Sequence, residues 1–191
     1  MATAIKNPCK VITGKKTVFS YLTVNQPKVP IGGGTPKYSV SLIIPKSDTV
    51  TVQKIRDAIQ AAYEKDEGKL RGSGKTVPPL SSIHSPLRDG DRDKADDPAY
   101  KNAWFLNATG KTRPGIVDAN LQEITDPSEL YSGIIGRASV NFYAYNSNGN
   151  RGIGCGLNNL QKLKDGIPLG SFSRAADDFA DLDDGEEDFL G

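Results

Sequence analysis

The sequence predicts a mainly β protein: a small antiparallel barrel with one inserted helix, a long mobile loop and a disordered acidic tail. Three observations lead there. β-branched and aromatic runs with two-residue alternation recur between turn residues. Only one stretch keeps helical spacing. Charge is split sharply near residue 171.

Residues 17–24, TVFSYLTV, read as the first strand, and QPKVPIGGGTPK breaks it with glycines and prolines. KYSVSLIIP, 37–45, is the second. Its Tyr38, Val40, Leu42 and Ile44 share one face, while Lys37, Ser39 and Ser41 share the other. The helix follows at about 51–65, with Val52, Ile55, Ile59 and Ala62 on one side and Lys54, Arg56, Asp57 and Glu64 away from it. From Lys65 to Ala99 no period is sustained. A connection this long in a compact domain is usually functional or mobile, and its few apolar anchors favour mobility. AWFLNATG and a short GIVD come next. GRASVNFYAYN, SNGN and RGIGCGLNNL then form a strand, a turn and a returning strand, a hairpin over 136–157.

Several tempting motifs fail on spacing. GSGKT at 72–76 has Lys69 where a phosphate-binding loop needs glycine, and VPP follows in place of a helix. ATGKT at 108–112 has Phe105 at that glycine position. GIGCG at 152–156 is too short for a dinucleotide fingerprint and lies in the hairpin, where glycines admit a close neighbour. One histidine and two cysteines make no zinc site; His84 reads as a solvated loop residue, and Cys9 and Cys155 as reduced, packed thiols. No nucleophile–base pair stands out. The expectation is a non-enzyme without cofactor or metal.

What survives lies on strand faces. In 136–146, Ala138, Val140, Phe142 and Ala144 form an apolar face, and Arg137, Ser139, Asn141, Tyr143 and Tyr145 the opposite one. In 101–111, Trp104, Leu106 and Ala108 oppose Lys101, Phe105, Asn107, Thr109 and Lys111. Rings, small polar groups and cations in a row make a floor for single-stranded nucleic acid: bases stack on the rings, and cations follow the phosphates. The candidate DNA contacts are Lys37, Lys101, Phe105, Lys111, Arg113, Arg137, Asn141, Tyr143, Tyr145 and Arg151. The rival reading is a protein-interaction or chaperone-like module, in which the aromatic face is core and the acidic tail binds basic partners.

Four stretches, KYSVSLIIPKSD (37–48), FLNATGKTRPGIVD (105–118), YSGIIGRASVNFYAYN (131–146) and GNRGIGCGLNNLQKLKDGIPLG (149–170), resemble a family of phage-encoded single-stranded DNA-binding proteins. The resemblance spans nearly the whole body in order. It implies an OB-fold, no catalysis, a cytoplasmic role in phage DNA replication and an acidic tail ending in an aromatic residue. EEDFLG supplies that ending, with Phe189 two residues from the end of the sequence.

The tail, 171–191, holds one basic and eight acidic residues, net −7. The body, 1–170, keeps 23 basic and 15 acidic residues, net +8. A tethered acidic segment competes for a cationic groove at high effective concentration. Single-stranded DNA then displaces it. The freed Asp183, Asp184, Glu186, Glu187, Asp188 and Phe189, with Phe179 and Leu182, are expected to meet a phage or host polymerase or helicase. Duplex DNA is an expected ligand only once the tail is removed. No apolar run is long enough to span a membrane, and MATAIKNPCK lacks a signal-peptide core, so the cytoplasm is the expected compartment. Oligomeric state stays open.

Overall fold

Five strands close the barrel through their hydrogen bonds. In the computed structural model, which describes residues 6–170, β2 (Thr17–Lys28) pairs with β3 (Lys37–Pro45), and β3 with β5 (Ala103–Gly110), both antiparallel. β5 meets β8 (Asn150–Lys164) in parallel at Thr109–Gly156. β8 pairs along its length with β7 (Ile135–Ser147), which returns to β2. β1 (Lys10–Ile12) lies on β7, β4 (Arg88–Asp89) on β5, and β6 (Gly115–Val117) on β8. The expected mainly β barrel with an inserted helix is what the chain forms.

The helix α1, Thr49–Lys65, starts where Asp48 caps it. The Asp48 carboxylate accepts from the Thr51 amide at 3.1 Å and the Thr51 hydroxyl at 2.7 Å. Val52, Ile55, Ala58, Ile59 and Ala62 are buried, so the periodic face is the one that packs. It meets Phe19, Leu42, Ile44, Leu106, Val140 and Phe142 in one interior core. Cys9 and Cys155 are buried there as free thiols. Burial pushes the Cys155 thiol up to about 12, so it packs as a small apolar group.

The β7–β8 hairpin is longer than its apolar pattern, reaching Lys164, and turns on Asn148–Gly149. Both residues have positive φ (52° and 86°), the geometry that a two-residue turn between right-twisted strands requires.

The connection from 66 to 102 links α1 to β5 as expected, but it is pinned more firmly than its composition suggested. It forms α2 (Glu67–Arg71), β4, α3 (Gly90–Asp93) and two short 3₁₀ turns. Leu70 and Tyr100 are fully buried anchors. The carboxylates of 89–97, which as a charge cluster are expected to be solvated, are in part held by ion pairs. Lys46 reaches Asp89 and Asp91 at 2.8 and 2.7 Å, and Asp93 takes Arg88 and Arg92 at 3.1 and 3.0 Å. GSGKT is a turn: the Gly72 amide closes α2 on the Gly68 carbonyl, and the Gly74 amide donates to the Arg71 carbonyl. No helix among the described residues is long and apolar enough to cross a membrane.

Candidate nucleic-acid interface

Strand alternation decides what the outside of the wall offers. On β3 and β5 the register pairs Ser39 with Thr109, Ser41 with Asn107 and Ile43 with Phe105. Residues opposite one another share a face, so the outer surface passes from hydroxyl to amide to apolar. The apolar part is covered. Ile43, Tyr100, Ala103 and Phe105 form a second, smaller core outside the barrel, with the Tyr100 and Phe105 rings edge-to-face at 5.1 Å. Phe105 is 0% exposed and Arg88 lies over its ring at 5.1 Å. The expectation that Phe105 stacks on bases is therefore corrected. Alternation placed it outward, but the 98–100 turn brings Tyr100 over that face and turns it into core.

The uncovered part is a groove of two joined hollows, about 310 and 180 Å³, which share Arg88 and Asn107 as lining residues. One hollow extends over Ser39 and Ser41 to Tyr21 and Lys94; the other reaches Tyr143, Tyr145 and His84. A strap crosses here. The His84 amide donates to the Arg151 carbonyl on β8 at 3.0 Å, and the Ile153 amide to the His84 carbonyl at 2.9 Å. Four residues later Arg88 pairs with Phe105 on β5. Residues 84–89 thus fill the gap where β5 and β8 diverge from their single pairing. His84 is exposed, as expected, but its backbone is fixed at the groove.

Tyr143 and Tyr145 face outward opposite Gly154 and Gly152. The pairing explains GIGCG. A β-carbon on Gly154 would stand 2.5 Å from Tyr143 Cζ, and one on Gly152 would meet the Tyr145 hydroxyl at 2.8 Å. The rings lie against backbone that only glycine leaves free. Tyr143 remains 42% exposed, and partial burial raises its phenol above the ordinary value.

The other candidates divide by position. Lys28 pairs directly with Lys37, and Lys111 follows Gly110, the partner of Tyr38. Three lysines therefore gather at one end of the sheet, without an ion pair among the described residues. Arg113 is fixed nearby by donating from Nε to the Val24 carbonyl at 3.1 Å. Arg151 sits at the hairpin end beside Gly72, with its Nε buried and without a hydrogen-bond partner among the described residues. Arg137 and Asn141 face outward on β7 but line neither hollow; Arg137 is six residues, roughly 20 Å, from Tyr143. Lys101 is also outside both hollows. Asn102, at φ 53°, separates it from β5, so the strand alternation does not extend to it.

Arg88, Lys94 and Tyr21 are the groove residues that sequence reading missed. Lys94 Nζ lies 5.3 Å from the Tyr21 ring centroid and 5.7 Å from that of Tyr100. The Asp93 carboxyl is held below the usual range by hydrogen bonds from Arg92 and Arg88, and that of Asp91 by its bond from Lys46. For Arg88 and Lys94 the signal is alternating charge in RDGDRDK, which has no period to indicate a face. The tail residues Asp183, Asp184, Glu186, Glu187, Asp188 and Phe189 lie outside the described residues.

Comparison with known proteins agrees with the fold. The chain is similar to a single-stranded DNA-binding protein of bacteriophage Enc34 in complex with single-stranded DNA, at TM-score 0.68 and 24% identity, covering 88% of this chain and 97% of that one. The single-stranded DNA-binding protein gp2.5 of bacteriophage T7 is similar at TM-score 0.59 and 16% identity, over 95% and 98% of the two chains. A curated relative, putative protein p50 of Acyrthosiphon pisum secondary endosymbiont phage 1, is 31% identical over 172 residues, 86% of this chain and 90% of its own length. Residues 9–190 match the family described as Enterobacter phage Enc34, ssDNA-binding protein, and the chain belongs to that family.

Proposed function

We propose that this chain is a sequence-tolerant single-stranded DNA-binding protein acting without catalysis in phage DNA replication and recombination, in the host cytoplasm. The carrying observation is the exposed Tyr143 ring laid against Gly154 in a groove whose lining includes the Thr109 hydroxyl, the Asn107 amide and the Arg88 cation. A ring face accepts any base, and a cation takes phosphate without reading sequence. The family of the chain supports the same reading.

Residues 1–170 form the binding domain in this proposal and 171–191 a tail that competes for the groove and recruits replication proteins. The rival, a protein-interaction or chaperone-like module, requires the tyrosine face to be core. The exposure of Tyr143 argues against it.

Fluorescence anisotropy with labelled oligo-dT, against duplex of equal length over a salt series, tests the proposal. Tight single-strand binding at low salt, weaker duplex binding and a linear loss with log salt are expected. Absence of any complex at low salt overturns it.

A further inference from the structure

Tyr21 lies within β2 at φ 46°, the left-handed region, in a strand otherwise extended. A bulky non-glycine residue is rarely held there, because its β-carbon crowds the backbone. It falls in the register break between Ser20 and Thr23, where an irregular residue can re-aim its side chain. The outcome is a ring 60% exposed, beside a lysine that makes no ion pair among the described residues. Tyr21 and Lys94 line the 310 Å³ hollow and also a third of about 440 Å³, whose other lining includes Asp93, Asp96 and Asp97, so the surface that suits phosphate ends at Lys94.

Backbone strain at an exposed ring does nothing for the core. Its effect is to present the ring. We propose that Tyr21 and Lys94 form a second station, one ring for a base and one cation for a phosphate, at the far end of the groove from Tyr143 and Tyr145. This rests on the single-strand reading above and gives the strand a path. The hollow lined by Tyr21 and the hollow lined by Tyr143 share Arg88 and Asn107, so one continuous path joins the two stations. Between Tyr21 and Tyr143 the lining includes Ser39, Ser41, Asn107 and Thr109 beside Arg88. The bound strand crosses the strands of the wall, stacked at both ends and held by phosphate in the middle.

Tyr21→Gly is the informative variant, because glycine adopts this φ without strain and the fold is retained. Its affinity is measured for oligo-dT of about 4 and about 16 nucleotides, the range of one such fold. The long strand should bind about 5- to 150-fold more weakly than to the parent, and the short one almost as before, since it can rest on Tyr143 alone. Tyr21→Phe keeps the ring and should bind both like the parent. Lys94→Ala should give a shallower salt slope with the long strand. Unchanged affinity of Tyr21→Gly for the long strand, alongside weaker binding by Tyr143→Ala, overturns the second station and leaves the single-strand reading standing. A parent that binds neither oligonucleotide overturns both.

Discussion

The ring of Tyr143 rests on Gly154, so closely that a β-carbon at 154 would come within 2.7 Å of three of its atoms. All three belong to a side chain that is 42% exposed and free to swing outward. Gly154→Ala should therefore keep the fold, with a melting temperature near the parent's, yet displace the platform. Single-strand affinity is expected to fall by up to the value of one stacked base, about 1–3 kcal/mol. A folded Gly154→Ala protein binding oligo-dT like the parent would show that the ring position is irrelevant.

Tyr143 and Phe105 make an opposed pair of tests. Tyr143→Ala should lose about 1–3 kcal/mol of single-strand binding with little change in stability. Phe105→Ala removes a fully buried ring from the cluster with Ile43 and Tyr100, which should cost about 3–5 kcal/mol of folding stability. Thermal unfolding and anisotropy on both variants separate the roles. If Phe105→Ala melts like the parent but binds poorly, its assignment to the outer core is wrong.

These two aromatics also mark what the sequence could convey. Period-two alternation put both outward, and both are outward. Alternation cannot report whether another segment covers a face. Over Phe105 the cover is Tyr100, with Ile43 beside it from 62 positions earlier in the chain. The helix was legible because Val52, Ile55, Ile59 and Ala62 satisfy one period against one core, and the hairpin because Asn148–Gly149 fixes its turn locally. Arg88 and Lys94 were not, since the charged run around them is placed by Lys46, more than 40 residues away, and by pairing on β5. Long-range ion pairs leave no local pattern.

Lys37 gives a prediction in which stability and binding do not move together. It stands directly opposite Lys28, and like charges across a strand pair repel. Lys37→Gln should leave thermal stability equal or slightly higher. Affinity for single strands should fall evenly across sequences, and the salt slope should shrink by about 0.7, the value for one phosphate on a single strand. A sequence-selective loss, or an unchanged slope, would remove Lys37 from the phosphate path.

Truncation after Gly170 tests the tail most directly. It removes a segment of net −7 and leaves a body of +8. If the tail competes for the groove, single-strand affinity should rise, most at low salt, where exposed charges attract over the longest range. The truncated chain should also show the steeper salt dependence. Binding to the full chain must first displace the tail, and that opposing cost fades as salt rises, which flattens the observed slope. Duplex binding should strengthen in the same variant, because the acidic segment no longer repels phosphate. Pull-down of a polymerase or helicase should fail with the truncated chain. Phe189→Ala should weaken that recruitment while leaving the charge, and hence the competition, in place. Equal affinity of full and truncated chains for oligo-dT at low salt would mean that the tail takes no part in DNA binding.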